Sequence, residues 1–262
     1  MRARSAQLRS LAELVAGAER DAVIELPPGR YAGSVELRRG VTLRGAGDLT
    51  RIVPGEGAGA GSVLHVRTKE RVRLESLLVE GGEAERGGGI LVSQGTVWMF
   101  NVHLRDCAAR DGGGALAVRG GTVEGRRLRF RDVHAPRGGA ILVDGAAERV
   151  ELEDFEVVGG EADFGGAVFV GGRAEVKLRY ATIARSRAEK RGQMVYATGR
   201  EGATLRLDKV RFESPAWEEL RAGAELFNDP EGFARVLVEG CDLPRGVRDV
   251  PGVVATGRTR WR

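Results

Sequence analysis

The amino-acid sequence predicts an all-β fold, a right-handed parallel β-helix with three strands per coil. Two repeated patterns support this prediction: a Gly-rich segment that ends in apolar residues, and a longer segment in which apolar and polar residues alternate. Both recur about every 26 residues, with no helical period between the copies. Units of this size can bury their apolar positions only by stacking one coil on the next.

The Gly-rich segment predicts one strand of each coil. Four copies lie 25 to 27 residues apart, at 88–92, 114–118, 139–143 and 166–170. Each copy opens with Gly and continues with apolar residues, as in Gly139-Ala140-Ile141-Leu142-Val143. Small residues recur just before the segment and fit a tight interior turn: Ala84, Ala135, Ala162 and Ala188.

The alternating segment predicts the other two strands. Apolar residues at every second position are typical of a strand with one buried face, and the one extra residue in each copy marks a corner. Asn, Asp and Gly suit a left-handed backbone at such a corner. The seven corner residues are Ser76, Asn101, Arg127, Asp154, Tyr180, Lys209 and Gly240.

The ends of the chain depart from the repeat. Residues 1–19 are predicted to form an N-terminal cap, with an amphipathic helix over 5–19 covering the first coil. The β-helix follows over 20–256, with a helical insertion near 214–230 that opens with a Ser-Pro pair. Residues 257–262 are predicted to be a basic tail.

The first coil, read from 22–31, 35–37 and 40–45, resembles the opening coil of the pectate-lyase-like right-handed β-helix superfamily. The Gly-Gly-Ala-Ile marker is also similar to the repeats of polymorphic outer-membrane proteins, over about residues 20–256. Those repeats pair the marker with Phe-x-x-Asn, whereas Phe130 here leads to Val133. The resemblance implies the same fold. Enzymes of that superfamily modify acidic polysaccharides with carboxylates beside an Arg or Lys, often with Ca²⁺, and the resemblance implies such an activity for this chain.

Composition excludes several classes of function. The 41 basic and 37 acidic residues leave a net charge of only +4, so nucleic-acid binding is not indicated. Apolar runs reach four residues at most, which is too short to span a membrane. The N-terminus does not read as a signal peptide, and we expect a cytoplasmic protein. Cys107 and Cys241 are then expected to be small core residues.

The first candidate site is a surface of exposed aromatic residues. Trp98 and Phe100 share the outward face of one strand, and His103 follows just past the corner. Such residues can contact a sugar ring or a protein partner, unless the insertion near 215–230 or the N-terminal segment covers them. The leading hypothesis is a non-catalytic binding or scaffold module that docks a protein partner or a second copy of itself.

The second candidate site belongs to an enzyme alternative, a lyase or hydrolase acting on an acidic polysaccharide. Asp106 and Asp132 occupy equivalent repeat positions, each preceded by an arginine, Arg105 and Arg131. Such carboxylates can act as acids or hold Ca²⁺, although Asp is also common in turns because it bonds its own backbone. The sequence otherwise indicates no cofactor and no metal site.

The remaining outward positions alternate in charge along the coils, for example from Arg126 through Glu153 and Arg179 to Asp208. Neighbours on a ladder lie about 4.8 Å apart in a parallel sheet. We therefore expect ion pairs along a solvated face rather than a catalytic row.

Overall fold

The computed structural model describes residues 8–55, 57, 59–198, 202–213, 226–228, 234–243, 253–257 and 259–261. The chain winds as the predicted right-handed parallel β-helix, with about eight turns. Strands of successive coils pair in parallel and in register, as at Leu116 with Ile141. No helix within the described ranges is long and apolar enough to cross a membrane.

Several strands run through corners and therefore belong to more than one face. The first half contains β1 (Arg9–Ser10), α1 (Leu11–Ala16), β2 (Ala22–Glu25), β3 (Gly29–Ala32), β4 (Val35–Leu37), β5 (Val41–Val53), β6 (Leu64–Glu80), β7 (Glu83–Arg86), β8 (Ile90–Arg105), β9 (Ala108–Gly112) and β10 (Leu116–His134). The second half contains β11 (Ile141–Phe164), β12 (Val168–Val170), β13 (Glu175–Ala184), β14 (Arg187–Arg191), β15 (Val195–Ala197), β16 (Thr204–Asp208), β17 (Arg211–Glu213), β18 (Leu226–Asn228), β19 (Arg235–Glu239), β20 (Asp242–Leu243), β21 (Val253–Thr256) and β22 (Arg260–Trp261).

The pairings divide the coil into three long faces. Face A is built from the Gly-rich segments, and faces B and C are the two halves of the alternating segment. Face A comprises 35–37, 64–66, 90–92, 116–118, 141–143, 168–170, 195–197 and 226–228. Face B runs from 22–25 through 96–100 to 253–256, and face C runs from 9–10 through 102–105 to 260–261.

A fourth, shorter line of pairing lies where the sequence indicated only a tight turn. Strands β7 and β9 pair with each other, and β11 pairs with β14, between faces C and A. The small residues of this segment point inward, as predicted, and Ala135 is completely buried. Small side chains allow the backbone to come close to the core here, so that short strands can form.

The corners between faces B and C confirm the predicted left-handed backbone. All seven predicted corner residues have positive φ, from 52° at Ser76 to 62° at Gly240. A second left-handed corner closes face C, at Gly81, Asp106, Asp132, Gly159 and Arg185. Asp and Gly hold four of these five positions, because both tolerate this conformation at low cost.

The apolar residues of faces A, B and C form one continuous core. Stacked positions such as Leu74, Met99 and Leu152 are almost completely buried. A second, smaller cluster lies on the outer side of face A, where Leu142, Phe169 and Tyr196 are buried although they point away from the core. The Arg137 guanidinium lies 5.5 Å from the centroid of the Phe169 ring, and Phe164 packs edge-on against the Tyr196 ring.

The N-terminal helix is shorter than the predicted span of 5–19. The helix α1 covers six residues, with the Ser10 side chain accepting a hydrogen bond from the Glu13 amide at 3.3 Å. Residues Arg9–Ser10 are strand instead, because their backbone pairs with Tyr31–Ala32. Leu11 and Val15 are buried and join the core beside β3 and β4.

Two predicted boundaries change near the C-terminus. The predicted helical insertion at 214–230 lies outside the described residues except for β18, which is a strand because it pairs with β15 on face A. The predicted basic tail at 257–262 contributes β22 to face C, where the Arg260 amide donates to the Cys241 carbonyl at 2.9 Å. The solenoid therefore extends beyond residue 256.

Candidate functional site

Face B carries an aromatic pair on its solvent side. The alternation of the strand directs Val97 and Met99 into the core and leaves Trp98 and Phe100 outside, each half-buried. The two rings stack face to face, with centroids 5.7 Å apart and planes within 6° of each other. Each ring therefore covers one face of the other.

The far side of Phe100 is also covered. Arg127 at the next left-handed corner places its guanidinium 5.3 Å from the centroid of the Phe100 ring. The far side of Trp98 instead borders a cleft of about 380 Å³, which we call the Trp98 cleft. It is lined by Arg71, Arg73, Glu75, Thr96, Trp98 and Glu124.

The position of Thr96 shows which face of the indole is open. Thr96 precedes Trp98 by two residues on the same side of the strand, whereas Phe100 follows it by two. Because Phe100 occupies one face of the indole and does not line the cleft, the cleft lies against the other face. The geometry thus leaves one flat aromatic surface available to a ligand.

The Trp98 cleft has more positive than negative charge that is free to act on a ligand. Arg71 and Arg73 are exposed and form no ion pair with any described residue. Glu75 is engaged by Arg44 at 2.6 Å, and Glu124 on the coil above is exposed. Two arginines that lack an internal partner can bind an anionic group with little loss of existing contacts.

Charges farther along face B are paired only in part, because Arg126 and Glu153 of the predicted ladder form no ion pair among the described residues. Lys177 contacts Glu151 at 3.0 Å, and Arg179 contacts Asp208 at 3.7 Å. Hydrogen bonds from Arg149 and Lys177 lower the pKa of Glu151, in spite of its partial burial. Within the described part of the chain, Arg71 and Arg73 share the lack of an ion-pair partner with Arg126, but they are the two arginines that line the Trp98 cleft.

The structure separates His103 from the two aromatic residues with which it was predicted to act. The corner at Asn101 turns the chain from face B to face C, and His103 points outward from face C. Its Nδ1 atom lies 2.5 Å from Oδ1 of Asp48. Asp48 belongs to an irregular part of β5 with no counterpart in other coils, so the repeat gave no signal for this contact.

The four residues of the enzyme alternative do come together. Arg105 and Arg131 are register partners on face C, and Asp106 and Asp132 occupy the left-handed corner that follows. Arg105 already binds Glu80 and contacts Asp106 at 3.1 Å, and Arg131 contacts Glu156 at 3.2 Å. The hydrogen bond to Glu80 raises the pKa of Arg105.

The backbone explains why acids stand at this corner. The equivalent position in other coils is Gly81, Gly159 or Arg185, so a carboxylate is not a constant feature of it. Asp106 and Asp132 have φ values of 53° and 52°, which Asp tolerates better than most residues. Both side chains are exposed, and neither lines the Trp98 cleft or a second cleft of about 220 Å³ that Arg105 and Arg131 line together with His103.

Other candidate chemistry is limited. The part of the chain that the structure describes contains no group of three or more His, Cys, Asp or Glu residues that could hold a metal. Cys107 and Cys241 are buried free thiols, as predicted. Burial raises the pKa of each thiol to about 11, so the reactive thiolate is scarce at neutral pH.

Comparisons with known proteins bear on the fold only. No protein-family model matches the chain, and no curated protein matches it in sequence. Among solved structures, the chain is similar to a pectin methylesterase variant in complex with a hexasaccharide. The TM-score is 0.45 and the sequence identity 11%, over 96% of this chain and 77% of that chain.

The predicted parallel β-helix is confirmed by the strand pairing of the structure itself. The similarity to polymorphic outer-membrane repeats finds no support in these comparisons.

The sequence predicts only part of the Trp98 cleft. The ladder Arg73, Trp98, Glu124 follows from the repeat, whereas the stacking of Phe100 on one side of the indole does not.

Proposed function

We propose that this protein binds an anionic saccharide through the Trp98 cleft. A sugar ring would stack on the open face of the indole, and Arg71 and Arg73 would bind carboxylate groups of a uronic acid chain. The observation that supports this most strongly is the open Trp98 face beside two arginines that have no ion-pair partner among the described residues. Aromatic stacking combined with charge-assisted hydrogen bonds suits a flat, charged sugar.

The shape of the surface favours a saccharide over a protein partner or a second copy of the chain. A stable protein interface buries about 800 Å² on each partner around an apolar centre. The aromatic surface here is limited to two rings, and one of them is covered on both faces by Trp98 and Arg127. A narrow cleft with one apolar wall and a charged rim matches a small ligand better.

We propose binding alone for this cleft. Hydrolysis of a glycosidic bond by the usual route needs two carboxylates on opposite sides of that bond. Of the two acids that line the cleft, Glu75 is held by Arg44 at 2.6 Å, which leaves Glu124 as the available carboxylate. At the alternative site, both arginines beside Asp106 and Asp132 already have acidic partners.

Calorimetric titration with two trisaccharides tests this proposal. Trigalacturonate carries three carboxylates, and maltotriose is a neutral compound of the same length. We expect binding of trigalacturonate only, weakened about tenfold or more by Trp98→Ala or Arg73→Gln. Arg110→Gln is the matched control, because Arg110 is an exposed arginine on the fourth line of pairing, away from face B.

The two ligands and the control variant make the outcome decisive. Equal affinity for trigalacturonate and maltotriose would show that the arginines do not bind the carboxylates. Loss of binding in the control variant, or unchanged binding in Trp98→Ala, would show that the ligand does not bind in the Trp98 cleft.

A further inference from the structure

The outer side of face A holds a serine and a histidine in hydrogen-bond contact. His65 Nε2 lies 2.8 Å from Ser93 Oγ. His65 points outward from the strand 64–66, and Ser93 directly follows the face A strand of the next coil, at 90–92. Both side chains are partly exposed, so a small molecule in solution can reach them.

A carboxylate lies beside this histidine on the coil below. Glu36 is the register partner of His65, and its negative charge acts on the imidazole. Glu36 Oε2 accepts a hydrogen bond from Arg38 at 2.9 Å. Glu36 Oε1 is buried and has no hydrogen-bond partner among the described residues, although Arg67 Nη1 lies 3.8 Å away. Glu36 therefore acts on His65 through its charge and not through a hydrogen bond.

We propose that Ser93 is a nucleophile for carboxylic esters, with His65 as its general base and Glu36 as the nearby charge that raises the basicity of His65. The Ser93–His65 hydrogen bond is the contact of a nucleophile with its base, and Glu36 adds a negative charge at the register position next to His65. Stacked coils bring them together, because they stand on three successive turns of the solenoid. The site lies on face A and does not depend on the Trp98 cleft of face B.

The reaction proceeds by acyl transfer. The Ser93 oxygen attacks the ester carbonyl carbon while His65 takes the hydroxyl proton, and the tetrahedral oxyanion forms. The oxyanion then collapses, the ester C–O bond breaks, and His65 gives the proton to the departing alcohol. Water adds to the acyl-serine in the same way, with His65 as base. The acid leaves, and Ser93 recovers its proton.

The charges around His65 agree with the role of a base. Burial lowers the pKa of His65 from its ordinary value of 6.5, the charge of Glu36 opposes this shift, and Arg67 adds to it. The imidazole is therefore neutral at pH 7 and able to accept a proton. Arg67 follows His65 by two positions on the same face and is well exposed, so its guanidinium is a cation available to the oxyanion.

A fluorophosphonate probe tests the nucleophile directly. Attack by Ser93 forms a bond between its oxygen and phosphorus and releases fluoride, which adds a stable mass to the intact protein. We expect one adduct, located at Ser93 by peptide mass spectrometry, and hydrolysis of p-nitrophenyl acetate at a rate above that of buffer. Ser93→Ala should abolish both, whereas Ser76→Gly, which alters another outward serine at a left-handed corner, should change neither.

Variants of the other two residues separate chemistry from structure. His65→Gln should slow labelling about 100-fold, the usual contribution of a general base. Glu36→Gln should slow it less and move the midpoint of its pH profile to lower pH, because Glu36 raises the pKa of His65. Circular dichroism and urea denaturation establish that each variant is folded. Absence of an adduct at Ser93 in the folded wild-type chain, or equal labelling rates in wild type and folded His65→Gln, would overturn the proposal.

Discussion

At the scale of single residues, backbone conformation decides much of what looks like chemistry in this sequence. Asp106 and Asp132 attracted a catalytic interpretation because they recur one repeat apart and follow arginines. Their φ values near 53° place them in the left-handed region of backbone conformation, which residues other than Gly, Asn and Asp adopt at a cost in free energy. The residue type is therefore explained without a substrate.

A pair of substitutions at Asp132 tests this explanation. We expect Asp132→Val to lower the free energy of unfolding by about 1–2 kcal/mol, because a β-branched residue is strained at positive φ. Asp132→Gly should change it by less than about 1 kcal/mol, since Gly adopts this conformation freely. Urea denaturation of both variants measures the difference. Equal destabilisation by Val and Gly would contradict the explanation, since it would show that the Asp132 side chain and not the backbone conformation determines stability here.

At the scale of elements, glycine is required at the start of each Gly-rich segment for two separate physical reasons. The Gly that directly precedes each segment has positive φ, 59° at Gly138 before the segment 139–143. The second Gly packs against the neighbouring coil: a Cβ on Gly139 would lie 2.3 Å from the carbonyl oxygen of Gly166. The segment therefore marks a corner and a point of close backbone contact, which explains why it begins every strand of this part of face A.

Substitution of the second Gly should disrupt the stacking of coils. We expect Gly139→Ala to lower the free energy of unfolding by about 3 kcal/mol or more, because backbone atoms of the next coil cannot move aside without breaking the sheet. Gly59→Ala is the matched control, since a Cβ there would meet no atom within 4 Å. Thermal and urea unfolding followed by circular dichroism compare the two. Similar stabilities for both variants would contradict the packing account.

A charge cluster stabilises the fourth line of pairing and gives a prediction about pH. Asp111 binds Arg86 and lies 2.6 Å from Arg137, and all three side chains are mostly buried. Burial alone would raise the pKa of Asp111, but the hydrogen bonds and charges of Arg137 and Arg86 outweigh it and lower the pKa below 3.8. Folding therefore favours the ionised form of Asp111. Its contribution to the free energy of unfolding is present above pH 3.8 and is lost as the pH falls through the lowered pKa.

We therefore expect Asp111→Asn to reduce stability by about 1–3 kcal/mol at pH 7, because it leaves two guanidinium groups without their shared partner. The difference between wild type and variant should shrink at pH 3, because the Asp111 carboxyl of the unfolded chain, with its ordinary pKa of 3.8, is then largely protonated and the folded state loses part of its advantage. Urea denaturation at both pH values provides the measurement. A difference that is unchanged at pH 3 would show that the charge of Asp111 does not contribute.

At the scale of the whole molecule, the repeat alone predicts the winding of the chain. Each coil contains the same alternation and the same corner, so the register of Trp98 above Arg73 and below Glu124 follows from the sequence. What the repeat cannot predict are features that occur once. The contact from Asp48 to His103 and the pairing of β22 depend on segments that have no second copy to align.

The candidate sites show the same division. Stacking brought Arg105, Arg131 and their aspartates together as expected, because they hold equivalent positions. The contact between His65 and Ser93 was missed, because it joins different positions of two coils, and only the side-chain geometry reveals it. The coverage of Phe100 by Arg127 likewise depends on side-chain conformation at a corner.

The most direct test of the proposed function is a double-mutant cycle between Arg73 and Trp98, measured by calorimetric titration with trigalacturonate. The two residues lie on adjacent coils and would contact the same ligand in the Trp98 cleft. We predict that the losses of binding free energy in Arg73→Gln and Trp98→Ala are not additive in the double variant, with a coupling of about 0.5 kcal/mol or more. Strictly additive losses, or binding that neither substitution weakens, would contradict the account.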